Sequence, residues 1–181
     1  MNVQCKKDLL RVLRLAKLGQ VIWIIFSILR EKFLATGSIY NLEQVDYSER
    51  GSRIEIIVDG APKPQTVIFA GLDCFGETYY FTEEGLRYIT DSRLTRPTQE
   101  FVLNYFDKIP KILTTPMMLG HNRIEPDHFL YLQKCAVKEH GNKKELLGVV
   151  LKKSNINVVW NFYFLEKGKI PLHVDILQYF N

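Results

Sequence analysis

Three apolar runs separated by short polar turns fill the last third of the chain, and this pattern restricts the fold more than any other. The runs are Phe129–Val137, Leu146–Lys153 and Val158–Leu165. The first connection contains Gly141 and Asn142, and the second runs from Ser154 to Asn157. Runs of strand length joined by Gly, Asn and Ser turns are typical of antiparallel hairpins. The sequence therefore predicts a three-stranded meander, which a fourth short strand near His173–Tyr179 could extend.

Alternation along these strands sorts their side chains into two faces, because successive residues of a strand point to opposite sides. The predicted core face carries Leu147, Val149, Leu151, Val158, Trp160, Phe162 and Phe164. The predicted mixed face carries Gly148, Val150, Lys152, Val159, Asn161 and Tyr163. Leu130 and Leu132 are expected to join the core face, which leaves Tyr131 and Gln133 on the mixed face. The mixed face is either an ordinary solvated sheet face or a functional surface.

Signals for two helices precede the meander. Thr82 is a good N-cap, since two glutamates follow it in the first turn, where the helix dipole favours carboxylates. A short helix is predicted through Ile89, and a second runs over Pro97–Phe106, where proline suits the first turn. Trp160 and Phe162 are expected to be buried against this second helix.

A small β-meander is predicted upstream, with strands Arg53–Val58, Thr66–Ala70 and Glu77–Phe81. The chain thus predicts an α+β fold in two parts. Residues 1–81 would hold N-terminal helices and the small meander. Residues 82–181 would hold two helices packed on a three- or four-stranded antiparallel sheet. One continuous domain is the alternative.

The N-terminal helix is predicted from about Lys7 to Leu34 and contains the apolar run Val21–Leu29. This run is shorter than the roughly 20 apolar residues that a membrane span needs. Arg30, Glu31 and Lys32 follow it, where a signal peptide would have a cleavage site of small residues. We therefore expect a buried core helix and no integral membrane segment. The alternative is an amphipathic helix that touches a membrane or a partner.

Composition permits nucleic-acid binding without requiring it, because the formal net charge of the 181 residues is only +4. The three cysteines, Cys5, Cys74 and Cys135, form no CxxC pair, so neither a disulfide framework nor a zinc site is predicted. Reduced thiols favour a cytoplasmic location. No metal and no cofactor are expected.

A family resemblance rests on the order of these elements. The stretches that carry it are Tyr79–Ile89, Phe106–Leu113, Thr115-Pro116, Phe129–Lys134, Leu147–Lys153 and Asn157–Tyr163. This order resembles that of the barnase–EndoU–colicin–RelE nuclease superfamily, in its phage- and toxin-associated branches. It consists of two helices, an Ile-Pro followed by a Thr-Pro, and then the meander. The resemblance implies an RNA-cleaving domain in which the 2′-hydroxyl attacks the adjacent phosphate. No typical metal-ligand spacing is present, so such a ribonuclease is expected to be metal-independent.

This chemistry needs a base, an acid and cations for the phosphate. The candidate catalytic residues are His121, Arg123, Tyr131, Lys152 and Tyr163, and the candidate substrate-binding residues are Gln133 and Asn161. Lysine and arginine can hold a phosphate, and His121 can exchange a proton near neutral pH. Two family features are absent: no histidine lies near Gly85, and Trp160-Asn161 stand where a threonine is common.

Three functions therefore remain open. One is a toxin-like, metal-independent ribonuclease, active or degenerate, whose partners would be RNA and an antitoxin. The second is a non-catalytic module of the same fold that binds a protein partner. The third is a membrane-surface adaptor built on the basic N-terminal helix. No oligomeric state is predicted.

Overall fold

The computed structural model describes residues 45–96, 98–166 and 169–180, and its main feature is one large β-sheet. Its strands are β1 (Val45–Asp46), β2 (Arg53–Val58), β3 (Ala61–Leu72), β4 (Thr78–Thr82), β5 (Met118–Asn122), β6 (His128–Val137), β7 (Lys143–Lys153), β8 (Asn157–Phe164) and β9 (Val174–Tyr179). The helix expected from Lys7 to Leu34 lies outside the described residues. None of the helices in the described part of the chain is long and apolar enough to cross a membrane.

The strand order joins the two expected meanders into one mixed sheet. The order is β1, β3, β4, β8, β7, β6, β5 and β9, and β2 also pairs with β3. β4 and β8 run parallel, with Tyr79 beside Asn157 and Tyr80 beside Val158. The predicted three- or four-stranded antiparallel sheet is therefore wrong. The prediction failed because β4 and β8 are far apart in sequence. A parallel pair is connected by a long crossover rather than by a turn, so no local pattern announces it.

Two α-helices and a 3₁₀ helix follow β4. They are α1 (Glu83–Leu94), a 3₁₀ helix (Glu100–Lys108) and α2 (Ile109–Thr114), and a second 3₁₀ turn spans Lys138–His140. The predicted N-cap is confirmed, because Thr82 Oγ1 accepts a hydrogen bond of 3.1 Å from the Gly85 amide. The helix predicted after Pro97 is instead of 3₁₀ type and is interrupted at Tyr105, whose φ is −118°.

The main core lies between the helices and one face of the sheet. The side chains at its centre are almost fully buried: Phe69, Phe81, Ile89, Val102, Ile109, Ile112, Leu113, Tyr131, Leu147, Val149, Leu151, Val159 and Phe162. Phe106 links the layers, since its ring centroid lies 6.0 Å from that of Phe81 and 5.9 Å from that of Phe162. We call this side of the sheet the helix-covered face.

The faces of β6 are the reverse of those expected. Tyr131 pairs with Val149, and Leu130 pairs with Val150. Tyr131 therefore lies on the helix-covered face, whereas Leu130 and Leu132 pack on the opposite side with Met118, Leu146 and Leu165. The cause is the five-residue connection at 138–142, which pairs Val137 with Lys143 and so sets odd positions opposite odd positions.

A β-bulge in β8 displaces Trp160 from the core. Leu151 pairs with Val159 and Val150 pairs with Asn161, so Trp160 is the extra residue between two partners. Its half-buried ring lies against His128 on the side opposite the helices, at 5.7 Å between centroids. The prediction that Trp160 packs against the second helix is therefore wrong. Val159 occupies the core in its place.

Candidate functional site

The face opposite the helices, which we call the outer face, carries a pocket lined by histidine, carboxylate, amide and aromatic side chains. It includes His128, Leu130, Leu132, Val150, Lys152, Trp160, Asn161 and Tyr163. A cavity of about 190 Å³ opens there, and we call it the β6–β8 pocket. Its walls are Tyr88, Asn122, Glu125, His128, Leu130, Val150, Trp160, Asn161, Tyr163, His173 and Val174.

Helix α1 reaches this pocket because β4 is short. β4 pairs with β8 only at Asn157 and Val158, so no described strand flanks the second half of β8 on that side. Helix α1 contacts β8, and from it Tyr88 packs on Trp160 with 5.8 Å between ring centroids and 33° between the ring planes. The pocket is thus built from a sheet face and one helix.

Arg93 on α1 is a buried cation without a carboxylate partner among the described residues. Only 2% of its surface is exposed. Its Nη1 lies 3.4 Å from Gln99 Oε1, its Nη2 lies 3.2 Å from Asn161 Oδ1, and its Nε has no hydrogen-bond partner in the described part of the chain. The Tyr163 ring centroid is 5.9 Å from Cζ. A buried charge without a counter-charge is costly, so the site favours an anion.

The pKa of Arg93 reflects the same cost of burying an unpaired charge. Burial lowers it, and the nearby Arg96 lowers it further, while Tyr88 and Tyr163 act in the opposite direction. A guanidinium nevertheless keeps its proton in proteins. Arg93 therefore keeps its positive charge despite its burial.

His128 is held by a carboxylate at the start of β6. Its Nδ1 lies 2.7 Å from Glu125 Oε2, and its ring is 5% exposed. Its Nε2 has no hydrogen-bond partner among the residues that the structure describes and lies 3.9 Å from Asp127 Oδ1. The Glu125 contact favours a proton on Nδ1, which makes Nε2 the acceptor nitrogen. This pairing orients a histidine for proton exchange.

Lys152 is on the outer face, but its charge is already paired. Its Nζ lies 2.8 Å from Asp127 Oδ2 and 5.1 Å from the Trp160 ring centroid. Burial would raise the pKa of Asp127, but the hydrogen bond and charge of Lys152 outweigh burial and lower it. Lys152 therefore supports the position of Trp160 and is not a free cation for a ligand.

The structure brings three of the seven predicted site residues together. Asn161 and Tyr163 line the pocket, and Lys152 contacts its Trp160 wall. Burial raises the pKa of Tyr163 to about 12, so its hydroxyl stays protonated at neutral pH. Arg123 lies outside the pocket, where Nη2 donates to the Leu172 carbonyl oxygen at 2.5 Å and Nε lies 3.5 Å from Asp175 Oδ2.

The other three lie elsewhere in the fold. His121 Nε2 is 2.9 Å from the Pro126 carbonyl oxygen, and its ring packs on Phe129. Gln133 donates to the Thr115 carbonyl oxygen at 2.5 Å. The surface that Tyr131 and Gln133 were expected to share with Lys152 does not exist, because both lie on the helix-covered face.

Tyr131 instead belongs to a buried polar cluster around Asp73. The Asp73 carboxylate, 4% exposed, accepts from Tyr131 Oη at 2.7 Å, from the amides of Phe75 and Glu77, and from Lys153 Nζ at 3.2 Å. Burial, and then Asp73, raises the pKa of Tyr131. The adjacent Cys74 has its pKa raised to about 11, chiefly by burial, and so stays a thiol. The Asp73 carboxylate therefore accepts four hydrogen bonds, and through Tyr131 and Lys153 it links the β3–β4 turn to β6 and β7.

Sequence reasoning missed Glu125, His128 and His173 as pocket residues, and it missed Arg93, which contacts the pocket residues Asn161 and Tyr163. One signal was available for Arg93, because it falls four residues after Ile89 and so shares the buried face of α1. Another was the sequence Glu-Pro-Asp-His, which places a carboxylate three residues before His128. The contribution of His173 depends on β9 lying beside β5, which no local pattern encodes.

Comparison with known proteins finds no matching family model, no matching curated protein and no matching solved structure. Among the residues that the structure describes, no group of three or more His, Cys, Asp or Glu side chains could hold a metal ion. Function has therefore to be argued from the pocket.

Proposed function

We propose that the chain is a toxin-like ribonuclease that cleaves RNA without a metal ion, and that the β6–β8 pocket is its site. The observation that carries the proposal is Arg93, a buried cation that lacks a counter-charge among the described residues and lies against two pocket walls. An RNA phosphate in the pocket would supply that counter-charge. Asn161 and Tyr163 separate the guanidinium from the pocket and would present hydrogen-bonding groups to the phosphate.

The pocket also offers groups for proton transfer. Cleavage forms a bond between the 2′-oxygen and phosphorus and breaks the bond between phosphorus and the 5′-oxygen. One group removes the 2′-hydroxyl proton, and another protonates the departing 5′-oxygen. His128 and His173 both line the pocket and are our candidates for these steps. Glu125 orients His128 through Nδ1, which favours Nε2 as the exchanging nitrogen.

The entrance suits a nucleobase. Tyr88 is 49% exposed and packs against the half-buried Trp160. Bases stack on exposed aromatic rings with about 1–3 kcal/mol per base, without regard to sequence. An aromatic surface beside a phosphate-sized cavity therefore favours single-stranded RNA over a small free anion.

The test compares two exposed or half-exposed histidines, one in the pocket and one outside it. His173→Asn should slow cleavage of total RNA by about 10²-fold or more, the usual contribution of a general acid or base. His121→Asn is the matched control and should cleave at the wild-type rate, since His121 does not line the pocket and its ring lies against the Pro126 carbonyl oxygen and Phe129. Cleavage should persist in a chelator and leave a 2′,3′-cyclic phosphate or its hydrolysis product.

Equal losses in the two variants would place the chemistry outside the pocket. Absence of cleavage on total RNA, tRNA and ribosomes alike would refute the ribonuclease proposal and favour the protein-interaction module. Binding of a purified protein partner by this inactive, unaltered chain would then support the module.

A further inference from the structure

A second, larger cleft lies on the helix side of β6, away from the β6–β8 pocket. It has a volume of about 730 Å³ and runs between the 3₁₀ helix, α2 and the second half of β6. Four lysines line it, namely Lys108, Lys111, Lys134 and Lys138, together with the acidic residues Asp107 and Glu139. We call it the lysine cleft.

The two acidic side chains in the cleft are already engaged. Asp107 Oδ2 lies 2.6 Å from Lys108 Nζ. Glu139 accepts from Tyr105 Oη at 2.6 Å and from Asn104 Nδ2 at 2.9 Å. Lys111, Lys134 and Lys138, in contrast, are exposed and form no ion pair with another described residue. The cleft therefore presents a net positive surface.

Positive charge continues beyond the cleft along the neighbouring strand. Lys143 pairs with Val137 and is exposed, so it lies beside the β6 end of the cleft on the helix-covered face, whereas Lys144, which pairs with Ala136, points to the opposite face. Lysines that line a cleft and continue onto an adjacent strand match an elongated polyanion better than a single small anion.

We propose that the lysine cleft binds the phosphate backbone of single-stranded nucleic acid. A membrane surface fits less well, because the site is concave and none of the exposed large apolar side chains of the described residues lines it. The side chains of Gln133, Asn104 and Asn142, which also line the cleft, provide hydrogen-bonding groups that suit phosphate and sugar oxygens. The proposal shares its ligand class with the proposed function but uses different residues.

Cys135 lines the cleft, but its thiol is not expected to act as a nucleophile or a redox group. Burial raises the pKa of its thiol, and the opposing effect of Lys108 and Lys111 is smaller. The thiol form is a poor nucleophile. The cleft is thus a binding surface.

The experiment measures binding of a labelled 2′-O-methyl RNA oligonucleotide of about 12 nucleotides, which the pocket chemistry cannot cleave because it lacks a free 2′-hydroxyl. If four phosphates are neutralised, affinity should fall roughly 50-fold between about 50 and 200 mM salt. The triple variant Lys111→Gln, Lys134→Gln, Lys138→Gln should bind about 100-fold more weakly at about 0.1 M salt, with a salt slope smaller by roughly 2.

The matched control removes the same net charge elsewhere, with Arg53→Gln, Lys63→Gln and Lys169→Gln, all at exposed positions. Its affinity should stay within about twofold of wild type. Equal weakening in both triple variants would overturn the proposal, since net charge alone would then explain binding. Loss of binding to phosphatidylserine vesicles or to polyglutamate, with oligonucleotide binding unchanged, would overturn it in favour of those partners. Intact binding with no RNA cleavage by wild type would count against the pocket and not against the cleft.

Discussion

Replacing Arg93 with methionine tests whether the buried guanidinium is kept for a ligand rather than for the fold. Methionine has a similar length and no charge, so it can fill the space on α1. Two long hydrogen bonds are lost, of 3.4 Å to Gln99 and 3.2 Å to Asn161. Each such bond contributes about 1 kcal/mol or somewhat more.

The groups left behind by this substitution keep other partners. Gln99 Oε1 still accepts from the Phe164 amide at 2.9 Å, and its Nε2 still donates to the Phe164 carbonyl oxygen at 3.0 Å. Asn161 Oδ1 still accepts from the Phe162 amide at 2.9 Å. No buried acceptor is orphaned, whereas the desolvation cost of the charge, several kcal/mol, disappears. We therefore expect Arg93→Met to raise the free energy of unfolding by about 1–3 kcal/mol.

The same substitution should abolish the response to an anion. Inorganic phosphate at about ten times its dissociation constant should stabilise the wild-type chain by roughly 1.4 kcal/mol and leave Arg93→Met unchanged. Urea unfolding with and without phosphate measures both effects, and Arg96→Met at an exposed neighbouring position is the control. Two results together would refute the reasoning: Arg93→Met lowers the free energy of unfolding by more than about 1 kcal/mol, and phosphate does not stabilise the wild-type chain. Arg93 would then be a structural residue.

Two further predictions concern the Asp73 cluster. Tyr131→Phe removes one hydrogen bond to a buried carboxylate and should lower the free energy of unfolding by about 1.5–3 kcal/mol in urea titrations, and an unchanged midpoint would contradict the bond. Burial would raise the pKa of Asp73, but the bonds from Tyr131, Phe75, Glu77 and Lys153 together lower it. Its stabilisation should be complete above the unfolded pKa near 3.9 and be lost as pH falls towards the folded pKa, so Asp73→Asn should flatten the acid limb of the stability profile.

Local signals explain why much of the secondary structure could be predicted. Thr82 is followed by two glutamates, a pattern that needs only neighbouring residues to work, and the cap is present. The strands expected at Arg53–Val58 and Leu146–Lys153 rest on alternation within each segment, and both are present, the second with three more residues at its start. Such patterns carry information about the segment itself.

Pairing and register could not be predicted in the same way. β5, with the sequence Met-Leu-Gly-His-Asn, has no alternation and is a strand because β6 and β9 hydrogen-bond to its two edges. The odd pairing of Tyr131 with Val149 depends on a five-residue connection that forms a 3₁₀ turn before Gly141 and Asn142, both with positive φ. A shift of one residue exchanges the two faces of a strand, so the error extended to every site assignment on β6.

The bulge at Trp160 connects these errors to the proposed site. Asn161 and Tyr163 keep the faces that alternation gave them, whereas Val158 and Val159 exchange theirs, because the extra residue, Trp160, lies between Val159 and Asn161. The result places an indole between Tyr88 and His128 on the outer face. Without the bulge, Trp160 would pair with Leu151 and enter the main core, and the wall that joins α1 to the Glu125–His128 pair would be missing. Bulges terminate or redirect pairing where a side chain has to be re-aimed. The departure from the period of two is thus the feature that gives the outer face a pocket instead of an ordinary solvated surface.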